Sequence, residues 1–176
     1  MFKIKNLAFC GLLIALATVT SCIKIFSFPF GGSVTLLSML FIVLAGYLYG
    51  PKLGFLTAIV YGIIQFAINP QIYYPMQIVL DYVFAFGSLG LGSLFWKKKN
   101  GLIWGYLLAV TARFIFSSLS GYIFFSEYAW EGWSPFLYAF AYNGAYMYSE
   151  AAITIAVLLL PPVKKAISRV KKDCVA

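Results

Sequence analysis

The segment Phe95-Trp96-Lys97-Lys98-Lys99-Asn100-Gly101-Leu102-Ile103-Trp104 decides how this chain folds. Three consecutive lysines and an Asn-Gly turn signal divide two long apolar stretches. A charged side chain at the centre of a bilayer costs at least about 2.5–3.5 kcal/mol, so such a cluster belongs at a membrane surface with a spanning segment on either side. Working outward, Lys3 and Lys5 precede the first apolar stretch and Lys52 sits in the tight turn Gly50-Pro51-Lys52. Lys164, Lys165, Arg169, Lys171 and Lys172 follow the last one. The spacing predicts six spanning helices, at about 6–26, 34–50, 53–69, 77–96, 101–124 and 137–163.

The composition demands the same solution. The 176 residues are 62% hydrophobic and 10% charged, against about 45–50% and about 25% in soluble domains, and no water-soluble arrangement buries that excess. Residues 1–176 read as a single all-α, six-helix transmembrane domain, with no Pro/Gly/Ser linker and no fixed-period repeat. Eleven of the thirteen basic residues fall on one side of the predicted bundle, the opposite loops hold only Lys24, and Arg113 lies inside a span. The positive-inside rule therefore places both termini in the cytoplasm and the loops at 27–33, 70–76 and 125–136 outside the cell membrane. The net charge of +8 is a topology signal, and lysines beside span ends suit contact with the lipid bilayer rather than with nucleic acid. Lys3 and Lys5 followed by an apolar run and Ala15-Leu16-Ala17 imitate a signal peptide, but the apolar run continues to about Cys22, so this stretch is read as a retained first span.

The chain contains no histidine and three scattered cysteines, Cys10, Cys22 and Cys174. Zinc sites, Ser-His-Asp triads and disulfide frameworks have almost no raw material, and no phosphate-binding glycine loop is present for ATP. A transporter or receptor is expected, not an enzyme, with no metal and no cofactor.

Each of the few acidic residues therefore merits its own reading. Helical spacing puts Tyr74, Gln77 and Asp81 on one face near the outer end of the fourth span, and a carboxylate there is expected to meet a cationic ligand. Arg113 and Glu150, at similar depths in the fifth and sixth spans, are expected to neutralise one another as a structural pair; a proton-coupled carrier or channel is the rival use. Tyr138, Tyr142 and Tyr146 recur at every fourth position with Asn143 beside them, and the stripe runs inward toward Glu150. An aromatic belt at the interface does not need such depth, whereas a pocket for a flat, polar cation does: each aromatic face attracts a cation by about 0.5–2 kcal/mol. On the first span, Ala8, Gly11 and Ala15 share a face, the pattern that close helix contact in lipid uses, either within the bundle or against a separate membrane subunit.

These features together resemble one family. The carriers are Gly31-Gly32-Ser33-Val34-Thr35-Leu36, Tyr73-Tyr74-Pro75-Met76-Gln77-Ile78-Val79-Leu80-Asp81-Tyr82, and Ser120 through Trp130 leading to Tyr138 and Asn143. Over nearly its whole length the chain resembles the thiamine-specific S components of energy-coupling factor transporters. The resemblance implies a subunit that captures thiamine or a related small cation from outside and associates with a transmembrane coupling protein and two ATPase subunits. It implies that Asp81 attracts the ligand, that Tyr82 follows it, and that Phe125, Trp130, Trp133, Tyr138 and Asn143 supply pocket aromatics and hydrogen bonds. Ser117 falls where the family's fifth helix offers a histidine, with Gly121 one turn on, and Gly11 and Ala15 occupy the docking motif. Asp81 stands where a family member carries glutamate and Phe125 where it carries tryptophan, so an S component for another vitamin or a thiamine precursor is the neighbouring reading.

Overall fold

The computed structural model describes residues 3–98 and 100–175, the side chains of Phe30 and Val175 excepted, so Lys99 lies outside it. The elements in order are α1 (Ile4–Cys22), a hairpin of β1 (Lys24–Ser27) and β2 (Ser33–Thr35), α2 (Ser38–Tyr49) and α3 (Pro51–Ile68). They continue as α4 (Pro75–Phe95), α5 (Gly101–Phe124), α6 (Pro135–Leu159) and α7 (Pro161–Val175). Among the described residues, four helices (α1, α3, α4 and α5) are long and apolar enough to cross a membrane, and α6 with α7 makes a fifth if counted as one broken span.

The expected fifth span coincides with α5, and the third and fourth agree with α3 and α4 to within two residues. Three spans need correction. The first ends at Cys22 rather than 26, because Lys24–Ser27 pairs antiparallel with Ser33–Thr35, placing Lys24 opposite Thr35 and Ser27 opposite Ser33. The second, expected at 34–50, begins as β2 and becomes a helix only at Ser38; twelve residues at about 1.5 Å each reach about 18 Å, short of a bilayer core of about 30 Å. The sixth stops at Leu159, where Pro161 and Pro162 cannot continue an interior hydrogen-bond ladder and α7 leaves at 82° to α6.

Lysine-bearing segments gather at one end of the bundle. Lys171 on α7 donates from Nζ to the Trp96 carbonyl and lies over the Tyr47 ring, Cys174 Sγ meets the Tyr49 hydroxyl at 3.2 Å, and Phe9 of α1 packs edge-on against Tyr49. The first turns of α1 and the last turns of α7 therefore lie at that end, and the hairpin lies at the other. Between them Met39, Ile42, Tyr61, Leu89, Tyr106 and Val110 form a buried core. The helices α4 and α5 touch backbone to backbone: a Cβ on Gly105 would stand 2.2 Å from the Gly92 carbonyl oxygen, an approach only glycine permits.

The hairpin is tied to the bundle through Glu150 on α6. Its Oε2 accepts from the Thr35 amide at 3.1 Å and the Thr35 hydroxyl at 2.6 Å, while Oε1 accepts from the Ser38 hydroxyl at 3.2 Å and the Met39 amide at 3.4 Å. A side chain from one helix thus caps the start of another, α2, where the positive end of the helix dipole favours a carboxylate. This overturns the expected Arg113–Glu150 pair: no ion pair joins them, because the carboxylate is already saturated by four donors. Replacing Glu150 by alanine strands these buried donors, at about 1–3 kcal/mol for each unsatisfied group. Thermal unfolding in detergent is expected to show a large destabilisation for Glu150→Ala and a smaller one for Glu150→Gln, which keeps an acceptor; equal melting of the two variants and wild type would exclude the cap.

Candidate functional site

A cavity of about 500 Å³ opens at the hairpin end, within the range of about 300–1,000 Å³ usual for small-molecule sites. The hairpin contributes Gly31, Gly32, Ser33 and Thr35, and the first part of α4 contributes Gln77, Asp81 and Tyr82. The last turns of α5 bring Ser117, Ser120, Gly121 and Phe125, counting the residue just past the helix end. The first half of α6 brings Tyr138, Tyr142, Asn143 and Tyr146, with Glu150 deeper.

Local helix geometry explains how α4 presents its residues. Tyr74 caps α4 and Pro75 occupies its first turn, where a missing N–H is harmless. From Val79 to Ala85 the helix widens into a π segment, a form concentrated at functional sites, and this segment carries Asp81 and Tyr82. Gln77 is 2% exposed and fully engaged: its Oε1 accepts from the amides of Tyr73 and Tyr74, and its Nε2 donates to the Gln71 carbonyl at 3.3 Å and to Asp81 Oδ2 at 3.0 Å. One carboxylate oxygen of Asp81 is thereby held in place. The Tyr82 hydroxyl donates to the Asn69 carbonyl and accepts from the Gln71 amide, both at 2.9 Å, so it fastens the 69–71 loop to α4 while its ring forms cavity wall.

On α6 the aromatic stripe stands as expected. Tyr138 stacks on Tyr142, with ring centres 5.9 Å apart, and Tyr142 meets Tyr146 edge-on at 5.8 Å. Serine at 134 caps this helix by accepting from the Leu137 amide, and Pro135 opens it, which fixes the rotation that points the stripe inward. The Tyr142 hydroxyl accepts from the Gly32 amide at 3.0 Å and donates to the Pro29 carbonyl, so the wall of the cavity is pinned to the hairpin. Gly32 is required there, since a Cβ would lie 2.6 Å from that hydroxyl oxygen. Tyr146 donates to Asn143 Oδ1 at 2.7 Å, and Asn143 Nδ2 donates to the Ala139 carbonyl at 2.9 Å.

Three expected positions stand elsewhere. Tyr74 does not line the cavity; it stacks on Phe124 with ring centres 5.4 Å apart, because the helix begins only after it. Trp130 and Trp133 do not line it either. They are 63% and 40% exposed, pack edge-on against each other, and Trp130 reaches the site only through the Tyr138 ring at 5.6 Å. Conversely, Arg113 and Glu150 both face the cavity, an outcome the α6 stripe already signalled for Glu150. The guanidinium of Arg113 lies over the Phe86 ring at 4.2 Å, and its Nε, like the hydroxyl of Ser120, is buried without a hydrogen-bond partner. Ala8, Gly11 and Ala15 are all exposed on α1, whose buried face is Cys10, Leu13 and Ala17; internal packing does not use them.

The cavity thus combines a fixed carboxylate, stacked phenol rings, an amide and unpartnered donors, a set suited to holding a flat polar cation. No cluster able to hold a metal occurs among the described residues.

Comparison with known proteins identifies the family. The sequence model of the family described as thiamine transporter protein (Thia_YuaJ) matches residues 7–169. The thiamine transporter ThiT of Bacillus subtilis (strain 168) is 33% identical over 148 residues, covering 76% of this chain and 77% of that protein. Among solved structures, ThiT from Listeria monocytogenes superposes with a TM-score of 0.79 at 22% identity, over 94% of this chain and 96% of that one, which establishes a shared fold. By the extent of the match, this chain belongs to the thiamine transporter protein family, a family of transporters and not of enzymes.

Proposed function

We propose that this protein is the thiamine-capture subunit of an ATP-driven uptake system, with the cavity under the hairpin as its binding site. The observation that carries this reading is the Gln77-fixed Asp81 carboxylate facing the Tyr138–Tyr142–Tyr146 stripe across a cavity of small-molecule size. Thiamine is a flat aromatic cation, so the carboxylate supplies its countercharge, and Tyr82, Phe125 and the α6 tyrosines supply apolar and aromatic faces. Asn143, Ser117 and the unpartnered Ser120 hydroxyl supply hydrogen bonds, with Gly121 leaving room beside Asn143. Trp130 and Trp133 act from the rim as reporters rather than as walls.

In this reading the chain spans the plasma membrane six times, with α2 and its preceding hairpin together making the second crossing and both termini in the cytoplasm. The lysine-bearing end is then inside and the cavity opens outward. The exposed Ala8–Gly11–Ala15 face of α1 docks a transmembrane coupling protein, to which two ATPase subunits supply the energy.

Titration of the purified protein with thiamine should give a saturable change in tryptophan fluorescence, since Trp130 abuts a cavity tyrosine; a flat response to thiamine alongside a saturable one to another vitamin would reassign the ligand. Asp81→Asn is expected to weaken thiamine binding by about 30-fold or more, the loss expected when one member of a buried charge pair is neutralised. By contrast Glu127→Gln, on an exposed loop residue, should change it less than about twofold; equal effects would remove Asp81 as the countercharge. Ala15→Phe should leave thiamine binding intact and depress uptake in cells, and a variant that transports normally would free this face from a docking role.

A further inference from the structure

A second cavity, of about 720 Å³, lies at the lysine-bearing end, where α7 crosses the ends of α2, α5 and α6. Its α7 wall carries Lys164, Ser168, Lys171 and Lys172, positions that share one side of a helix. The facing walls are apolar: Leu102 and Ile103 at the start of α5 and Leu158 at the end of α6, with Ile167 of α7 beside them. Among the described residues no acidic side chain lines it; Asp173 follows Lys172 on α7 but stays outside. Lys171 is occupied structurally, donating to the Trp96 carbonyl with its ammonium 3.4 Å from the centre of the Tyr47 ring, whereas Lys164 and Lys172 are exposed at the cavity mouth. The amino end of the 24-residue α5 also opens here at Asn100, adding the positive end of its dipole.

We propose that this cavity holds the headgroup of an anionic phospholipid. The phosphate sits between Lys164 and Lys172 near the start of α5, and the glycerol and first acyl carbons lie on Leu102, Ile103 and Leu158. Positive charge alone would serve any anion, but the apolar walls select one that carries hydrocarbon. Position selects it too. After its 82° turn α7 lies across the helix ends with Val163 and Ile167 packed inward and Lys164, Lys165, Arg169 and Lys172 exposed, the arrangement of a helix in the headgroup layer. The site depends on the chain being embedded in a membrane and is independent of what the first cavity binds.

Native mass spectrometry of the full-length protein in neutral detergent tests this with short-chain phosphatidylglycerol as the probe and short-chain phosphatidylcholine as the neutral comparison. Wild type is expected to retain phosphatidylglycerol over phosphatidylcholine by about tenfold or more. The Lys164→Gln/Lys172→Gln pair should lose that retention by about fivefold or more, and Lys164→Arg/Lys172→Arg should keep it. The Lys3→Gln/Lys5→Gln pair, which removes equal charge away from the cavity, should change it less than about twofold. Thermal melting verifies that each variant is folded, and a thiamine titration on the same samples is expected to be unchanged, which separates this site from the first. Equal retention of the two lipids, equal loss in the two Gln pairs, loss in the Arg pair, or displacement of phosphatidylglycerol by equimolar inorganic phosphate would each overturn the proposal.

Discussion

The fold hangs on the carboxylate of Glu150. A buried carboxyl group is tolerable only when hydrogen bonds replace those it would make to water, and here two amides and two hydroxyls do so. All four come from the seam between the hairpin and α2, whereas Glu150 itself belongs to the helix that carries the tyrosine stripe. One group therefore sets the roof of the cavity, the start of a short helix and the wall opposite Asp81 in a common register. Leu37 adopts a left-handed backbone, with φ of 63°, at the same seam, a conformation a bulky residue seldom takes and which this network holds in place.

Charge placement made the long helices legible. Lysine clusters and the Asn100-Gly101 signal mark the start of α5, and apolar length does the rest, because a bilayer enforces one solution for such stretches. The hairpin was not legible for a related reason. Ile23, Ile25 and Phe26 continue the first apolar run and Val34 opens the second, so hydropathy carries the flanking spans into the two strands, and strand pairing depends on contacts that no local pattern reveals. The break after Leu159 was written in Pro161-Pro162, but the long apolar run before it, with Val163 just beyond, masked it.

Much of the cavity followed from helical periodicity alone, since Tyr138, Tyr142 and Tyr146 share a face on any straight helix. Periodicity failed at Tyr74, which precedes the first turn, and at Trp130 and Trp133, which lie in a loop where no periodic rule applies. The pairing of Arg113 with Glu150 failed because depth was matched without regard to the competing donors of the hairpin. Arg113 rests instead on an aromatic face, with its Nε unpartnered, at the bottom of the same cavity.

Gln77 gives the aspartate at position 81 a further meaning. Its amide spends one donor on the loop and one on the carboxylate, and its oxygen is committed to two backbone amides, so the acid is oriented during folding. Asp81 has one fewer rotatable bond than a glutamate and correspondingly less side-chain entropy to lose. Whatever cation enters meets an acceptor that is already immobile, so little ordering on the protein side opposes its capture and rigidity offsets the shorter reach.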